Sequence, residues 1–170
     1  MKRLVAIMSV SLLAMTAVAQ GKFTVPILTD IQKYQLAALN WNGSYLIQIS
    51  YARSLGKTVA DAAKFAGDQL KGTWLREGGF DSFAHGILYL MVSMVPYGSI
   101  EIIEQTDNKL VYKVKGLYSE LREGGSIFNV TWEEYIKFLE IAISRQADYM
   151  GTKYSQEDTD EGLIVTLSKK

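Results

Sequence analysis

The sequence predicts an α+β protein. Helices come first, then an antiparallel β-hairpin, a long helix and a C-terminal strand or hairpin, with the helices packed on one face of a small antiparallel sheet. Three observations carry that expectation. Between residues 30 and 95 apolar residues recur every three or four positions, the period of a helix. From residue 99 to 115 the period shortens to two, around the turn pair Asp107-Asn108. Helical spacing returns after Thr131, and a β-rich stretch at Leu163–Leu167 follows it.

Ahead of these elements, residues 1–19 have the layout of a secretory leader. Met1-Lys2-Arg3 is a short positive start, Leu4 to Met15 is an apolar run, and Thr16-Ala17-Val18-Ala19 is a small-x-small cleavage pattern before Gln20. The run is shorter than the roughly 20 residues a bilayer requires. Asp81, Ser82 and His85 interrupt the later apolar window at 80–95. The expectation is therefore an exported protein, periplasmic or extracellular, with no membrane span in its mature form. Residues 20–170 contain no Pro/Gly/Ser linker and read as one α+β domain.

The whole chain of 170 residues carries 18 Lys plus Arg against 18 Asp plus Glu. Loss of Lys2 and Arg3 leaves 16 basic residues and a net charge of −2. No basic excess points to nucleic acid. Cysteine is absent, which removes disulfides and thiolate zinc sites, and a single histidine removes any two-histidine metal site within one chain. No cofactor is expected, and nothing in the sequence sets an oligomeric state.

Helix 1 is expected from Asp30 to Leu55, with Thr29 as N-cap and Gly56 at its C-terminal end. Ile31, Tyr34, Ala38, Trp41, Tyr45, Ile49 and Ala52 form one apolar stripe, and Leu36, Leu39, Leu46 and Ile47 form a second. Two apolar sides predict a central helix. Gly43, in mid-helix, either admits a close neighbour or splits the element. Helix 2 starts at the capping box Thr58-Val59-Ala60-Asp61 and ends by Gly72. Helix 3 is expected from Ser82 to Val95, capped by Asp81 and stopped by Pro96-Tyr97-Gly98; being apolar nearly all round, it should be the most buried helix.

For the hairpin, a three-residue turn would gather Ile100, Ile102, Leu110, Tyr112 and Val114 on one face, and burial favours that register over a two-residue turn. Residues 116–130 read as an irregular connection. Thr131-Trp132-Glu133-Glu134 is a second capping box, and helix 4 follows to Met150, with Gly151 behind it. The last strand pairs with Thr152–Gln156 if a terminal hairpin forms.

Four features are candidates for function. On helix 3, His85 shares a side with Asp81 and Tyr89, a carboxylate–imidazole–phenol row able to orient a general base. The duller alternative is a helix cap beside a hydrogen-bonded histidine. The pentapeptide Leu-Arg-Glu-Gly-Gly occurs twice, at Leu75–Gly79 and Leu121–Gly125, so Arg76 and Arg122 could hold a carboxylate or phosphate. Otherwise Gly-Gly merely ends a turn. Glu157-Asp158-Thr159-Asp160-Glu161 concentrates four carboxylates but fails the EF-hand pattern, and a solvated hairpin tip is the default. Trp41, Tyr45, Tyr112, Trp132 and Tyr135, with Tyr89, could line a pocket for an amphipathic ligand, or could simply be core.

No catalytic signature of the Gly-x-Ser-x-Gly, His-Glu-x-x-His or Walker type is present. The leading expectation is thus an exported domain that binds a small, partly apolar molecule in an aromatic-lined pocket. The alternatives are a hydrolase or lyase using His85, and a protein-interaction module with a large exposed apolar patch.

Overall fold

The computed structural model describes residues 28–95 and 99–170. The expected leader at 1–19, its cleavage site and the stop signal Pro96-Tyr97-Gly98 lie outside the described residues. The chain divides into two units, Met1–Lys33 and Tyr34–Lys170. In the first, Thr29 Oγ1 accepts from the Gln32 backbone N–H (3.2 Å) and caps the opening turn of α1 (Asp30–Ser54).

Four more helices follow: α2 (Val59–Leu70), α3 (Gly79–Met94), α4 (Ser119–Gly124) and α5 (Trp132–Tyr149). The strands are β1 (Ser99–Thr106), β2 (Lys109–Lys115), β3 (Ser126–Ile127), β4 (Val130–Thr131), β5 (Thr152–Thr159) and β6 (Gly162–Lys169). β1-β2-β6-β5 form one antiparallel sheet, and β3-β4 form a separate two-stranded ribbon. The α+β class holds, with helices against a small antiparallel sheet.

Both capping boxes form as read. Thr58 and Asp61 cap α2, Thr131 and Glu134 cap α5, and each side chain satisfies the other's orphan backbone N–H. Gly56 and Gly151, at φ 70° and 68°, take the left-handed conformation that ends α1 and α5. α1 runs unbroken through Gly43.

The central helix is α5, not α1. It lies between α2 and β5 and buries Tyr135, Phe138, Leu139, Ala142, Ile143 and Ala147. α1 buries Ala38, Asn42, Tyr45, Leu46 and Ile49, whereas Leu36 and Ile47 of its second apolar side face solvent. Nor is α3 enclosed all round: it starts three residues before Ser82, its N-cap position is Gly78 rather than Asp81, and Tyr89 and Val92 are exposed. One covered face suffices when sheet and helix meet on one side only.

The β1–β2 register corrects the expected three-residue turn. Thr106 pairs with Lys109 across the two-residue turn Asp107-Asn108, and a bulge at Ile103 then shifts the ladder so that Ile102 meets Tyr112 and Ile100 meets Val114. The extra residue in one strand brings the apolar residues to a common face, which a longer turn would otherwise have done. Burial on that face begins at β2: Ile102 on the edge strand stays 46% exposed, whereas Leu110, Tyr112 and Val114, and Leu163, Val165 and Leu167 of β6, are buried. The connection 116–130 is also more ordered than expected. It holds α4 and the β3-β4 ribbon, whose turn residues Phe128 and Asn129 have φ values of 54° and 60°. The terminal hairpin is longer than its sequence signal, pairing Thr152 with Lys169 through to Thr159 with Gly162.

Candidate functional site

α1, the end of α2, α3, α5 and the 3-10 turn at Lys71–Thr73 with Trp74 border a partly open pocket of about 160 Å³. Trp41 and Tyr45 of α1, Trp74, and Phe138 of α5 give it aromatic walls. Leu70, Leu90, Leu139 and Ile143 supply aliphatic surface, and Thr73 and Gln146 supply polar atoms. Trp41, 48% exposed, stands at the rim, with its ring 6.0 Å from that of Tyr45; Tyr45 in turn lies 5.4 Å from Phe138.

The far wall is held rigidly. Trp74 Nε1 donates to Gln146 Oε1 (2.8 Å), while Gln146 Nε2 donates to the Ala142 carbonyl (3.1 Å). The Trp74 ring tilts against Phe83 at 4.9 Å and seats on the bare backbone of Gly86, where a Cβ would fall 2.3 Å from its Cη2 atom. Only glycine at that position of α3 lets the indole approach so closely.

Behind the cavity, α1 is tied to the body by a buried polar link. Asn42 Nδ2 donates to the Met94 carbonyl (2.9 Å), and Asn42 Oδ1 accepts from the Tyr135 hydroxyl (2.6 Å). Desolvation raises the Tyr135 pKa well above the ordinary phenol value, an effect increased by Tyr45 and Tyr118 nearby, and burial also raises Tyr45. Each stays a neutral phenol at physiological pH.

The residues expected to form a site are thus distributed over several places. Trp41 and Tyr45 line the cavity. Tyr135 stands behind it on Asn42. Tyr112 lies fully buried under the helices, its hydroxyl without a hydrogen-bond partner among the described residues and its pKa raised by desolvation. Trp132 is at the N-terminal end of α5, where its Nε1 donates to Asp158 (2.6 Å).

The two Leu-Arg-Glu-Gly-Gly copies have a shared structural role. Arg76 stacks over Tyr149 (5.0 Å) and donates to its carbonyl, at the last residue of α5. Arg122 stacks over Trp132 (5.2 Å) at the first residue of α5, and pairs with Asp158 (3.1 Å). A helix of 18 residues separates the two arginines by roughly 25 Å. They clasp opposite ends of one helix and share no opening. The closing glycines, Gly79 and Gly125, adopt φ of 53° and 86°.

His85 is exposed, and its Nδ1 bonds the Asp81 backbone carbonyl (2.8 Å), not the Asp81 carboxylate. Tyr89 is 78% exposed. The row therefore lies along a solvated helix face, and among the described residues no carboxylate orients the ring. The acidic segment 157–161 is divided: Asp158 faces Trp132 and Arg122, while Glu161 at the turn pairs with Lys113. Among the described residues no group of three or more acidic or histidine side chains is placed to hold a metal ion, and no helix is long and apolar enough to cross a membrane.

Sequence reasoning missed Trp74, Phe138 and Gln146. Gln146 carried a faint signal, a polar residue at helical spacing from Leu139, Ala142 and Ile143 on the apolar side of α5. Trp74 had none, since its wall position depends on how a connection folds back across α3 and α5.

Fold and cavity together define a small α+β domain with an apolar chamber among its helices. No protein-family model, curated protein or solved structure matches the chain.

Proposed function

We propose that this domain binds a small, partly apolar molecule in the chamber bounded by Trp41, Tyr45, Trp74 and Phe138. The observation that supports the reading is the pocket itself: about 160 Å³, largely apolar, with a few polar atoms at defined positions and a rim of Trp41, Leu70 and Thr73 open to solvent. We propose further that residues 1–19 are a cleaved leader, so that binding takes place in the periplasm or outside the cell. N-terminal sequencing of the mature protein should begin at Gln20.

Native mass spectrometry of the protein purified from its own cells tests the binding. A retained small mass is expected, and it should be lost in Leu90→Trp, which fills the chamber from its partly exposed wall. A clean apo mass, or a ligand that survives the filled chamber, would overturn the reading.

A further inference from the structure

We propose that the occupant of this chamber is a neutral, single-ring molecule bearing one small group that both donates and accepts a hydrogen bond, with the ring between the aromatic walls and the polar group on Gln146. The inference rests on reading the chamber as a binding site. It narrows the ligand on three grounds.

Size is the first. A cavity of roughly 150 Å³ engineered into another protein holds benzene. At about 160 Å³ this pocket has room for one ring and a short substituent, with any larger part of a ligand left in solvent.

Charge is the second. No Asp, Glu, Lys or Arg lines the chamber. Its one titratable side chain, Tyr45, is held neutral by burial. An ionised ligand would lose its hydration here and find no counter-charge. Arg76 and Arg122 cannot serve, since both are engaged at the ends of α5.

Hydrogen-bonding capacity is the third. A carboxamide offers two N–H donors and two acceptor lone pairs. For Gln146, the Ala142 carbonyl takes one donor and Trp74 takes one lone pair. One donor and one lone pair remain on a side chain only 5% exposed that lines the chamber. A buried amide left half-satisfied is costly, and a ligand hydroxyl or amide completes both remaining bonds at once. Two of the walls are fixed as well. The Trp74–Gln146 bond orients the amide, and the seat on Gly86 fixes the indole.

The test titrates the purified protein with three ligands built on one ring, followed by tryptophan fluorescence. Benzyl alcohol and ethylbenzene have nearly the same shape and differ by a hydroxyl in place of a methyl; benzoate adds a charge. Benzyl alcohol should bind about five- to tenfold more tightly than ethylbenzene, the worth of one buried hydrogen bond. Benzoate should bind more weakly than either. In Gln146→Met, which keeps length and loses the amide, the preference should reverse in favour of ethylbenzene, because the hydroxyl is then buried without a partner. Should that variant fail to fold, the ratios in the unaltered protein decide. Equal affinity for alcohol and hydrocarbon, or benzoate binding as well as the alcohol, would overturn the ligand class and leave the chamber as a binding site. A retained native ligand with none of the three probes binding would likewise overturn the class alone. A clean apo mass would overturn the binding reading and the ligand class with it.

Discussion

Two helices pack on the central helix α5 in opposite ways, and the contrast accounts for where the chamber lies. α2 packs backbone to backbone. Gly67, Ala63 and Ala66 are its buried residues, and a Cβ at Gly67 would fall 2.7 Å from the Ala142 carbonyl oxygen. Asp68 fixes the contact from outside through a bidentate pair with Arg145, both bonds 2.8 Å. α1 reaches α5 through long side chains instead: Tyr45 onto Phe138, Asn42 onto Tyr135, and Arg53 onto Glu134. Small residues leave no space between helices, whereas large rigid ones hold them apart and leave gaps between their rings. The chamber lies on the α1 side for that reason.

Glycine-to-alanine substitutions should expose the difference with opposite signs. Gly67→Ala is expected to destabilise by about 3 kcal/mol, the upper end for overpacking, because the obstacle is backbone that no rotamer change can move. At Gly43 on α1, where a Cβ meets nothing within 4 Å, Gly43→Ala should stabilise by about 0.5–1 kcal/mol through helix propensity. Urea denaturation of the pair measures both, and equal signs would refute the contrast. Between them in size falls Asn42→Ala. It leaves the Met94 carbonyl and the Tyr135 hydroxyl buried without partners, and should cost about 2 kcal/mol. A loss near zero there would mean that α1 is not held by that link.

The smallest expected effect is one of pH. Arg145, and then Lys71, hold the Asp68 carboxyl below its ordinary value in the folded protein. Its contribution is therefore present above the unfolded value of about 3.9 and is lost as pH falls through the lower, folded one. The pair is exposed, so the change should be slight. Comparing Asp68→Asn with the unaltered protein between pH 7 and pH 3 isolates it: the variant's stability should fall less steeply at the acid end. Parallel curves would show that the ion pair adds nothing to the α2–α5 contact.

How much was legible follows from the range of each interaction. The capping boxes at Thr58 and Thr131 are contacts over three residues, and both formed as read. The β1–β2 hairpin was placed correctly, yet its turn was misread. A bulge at Ile103 and a longer turn bring the same residues to one face, and periodicity alone cannot separate them. Trp41 and Tyr45, aromatics on one helical stripe, do line the chamber. Tyr112, Trp132 and Tyr135, expected beside them, lie elsewhere, because a stripe shows which side of a helix is apolar and not what faces it. The same holds for α1, whose second apolar side divides, Leu46 buried and Leu36 and Ile47 exposed, even though its spacing matched a central helix.

The sequence by itself determined the order and type of the main elements, their caps and the α+β class, since these depend on neighbours within a few positions along the chain. Tertiary structure alone decided which helix is central, that two identical pentapeptides clasp the two ends of α5, and that Trp74 meets Gln146 across 72 residues of chain to wall a chamber. Those outcomes depend on which surfaces meet in space, and on whether glycine or a large ring stands where they touch.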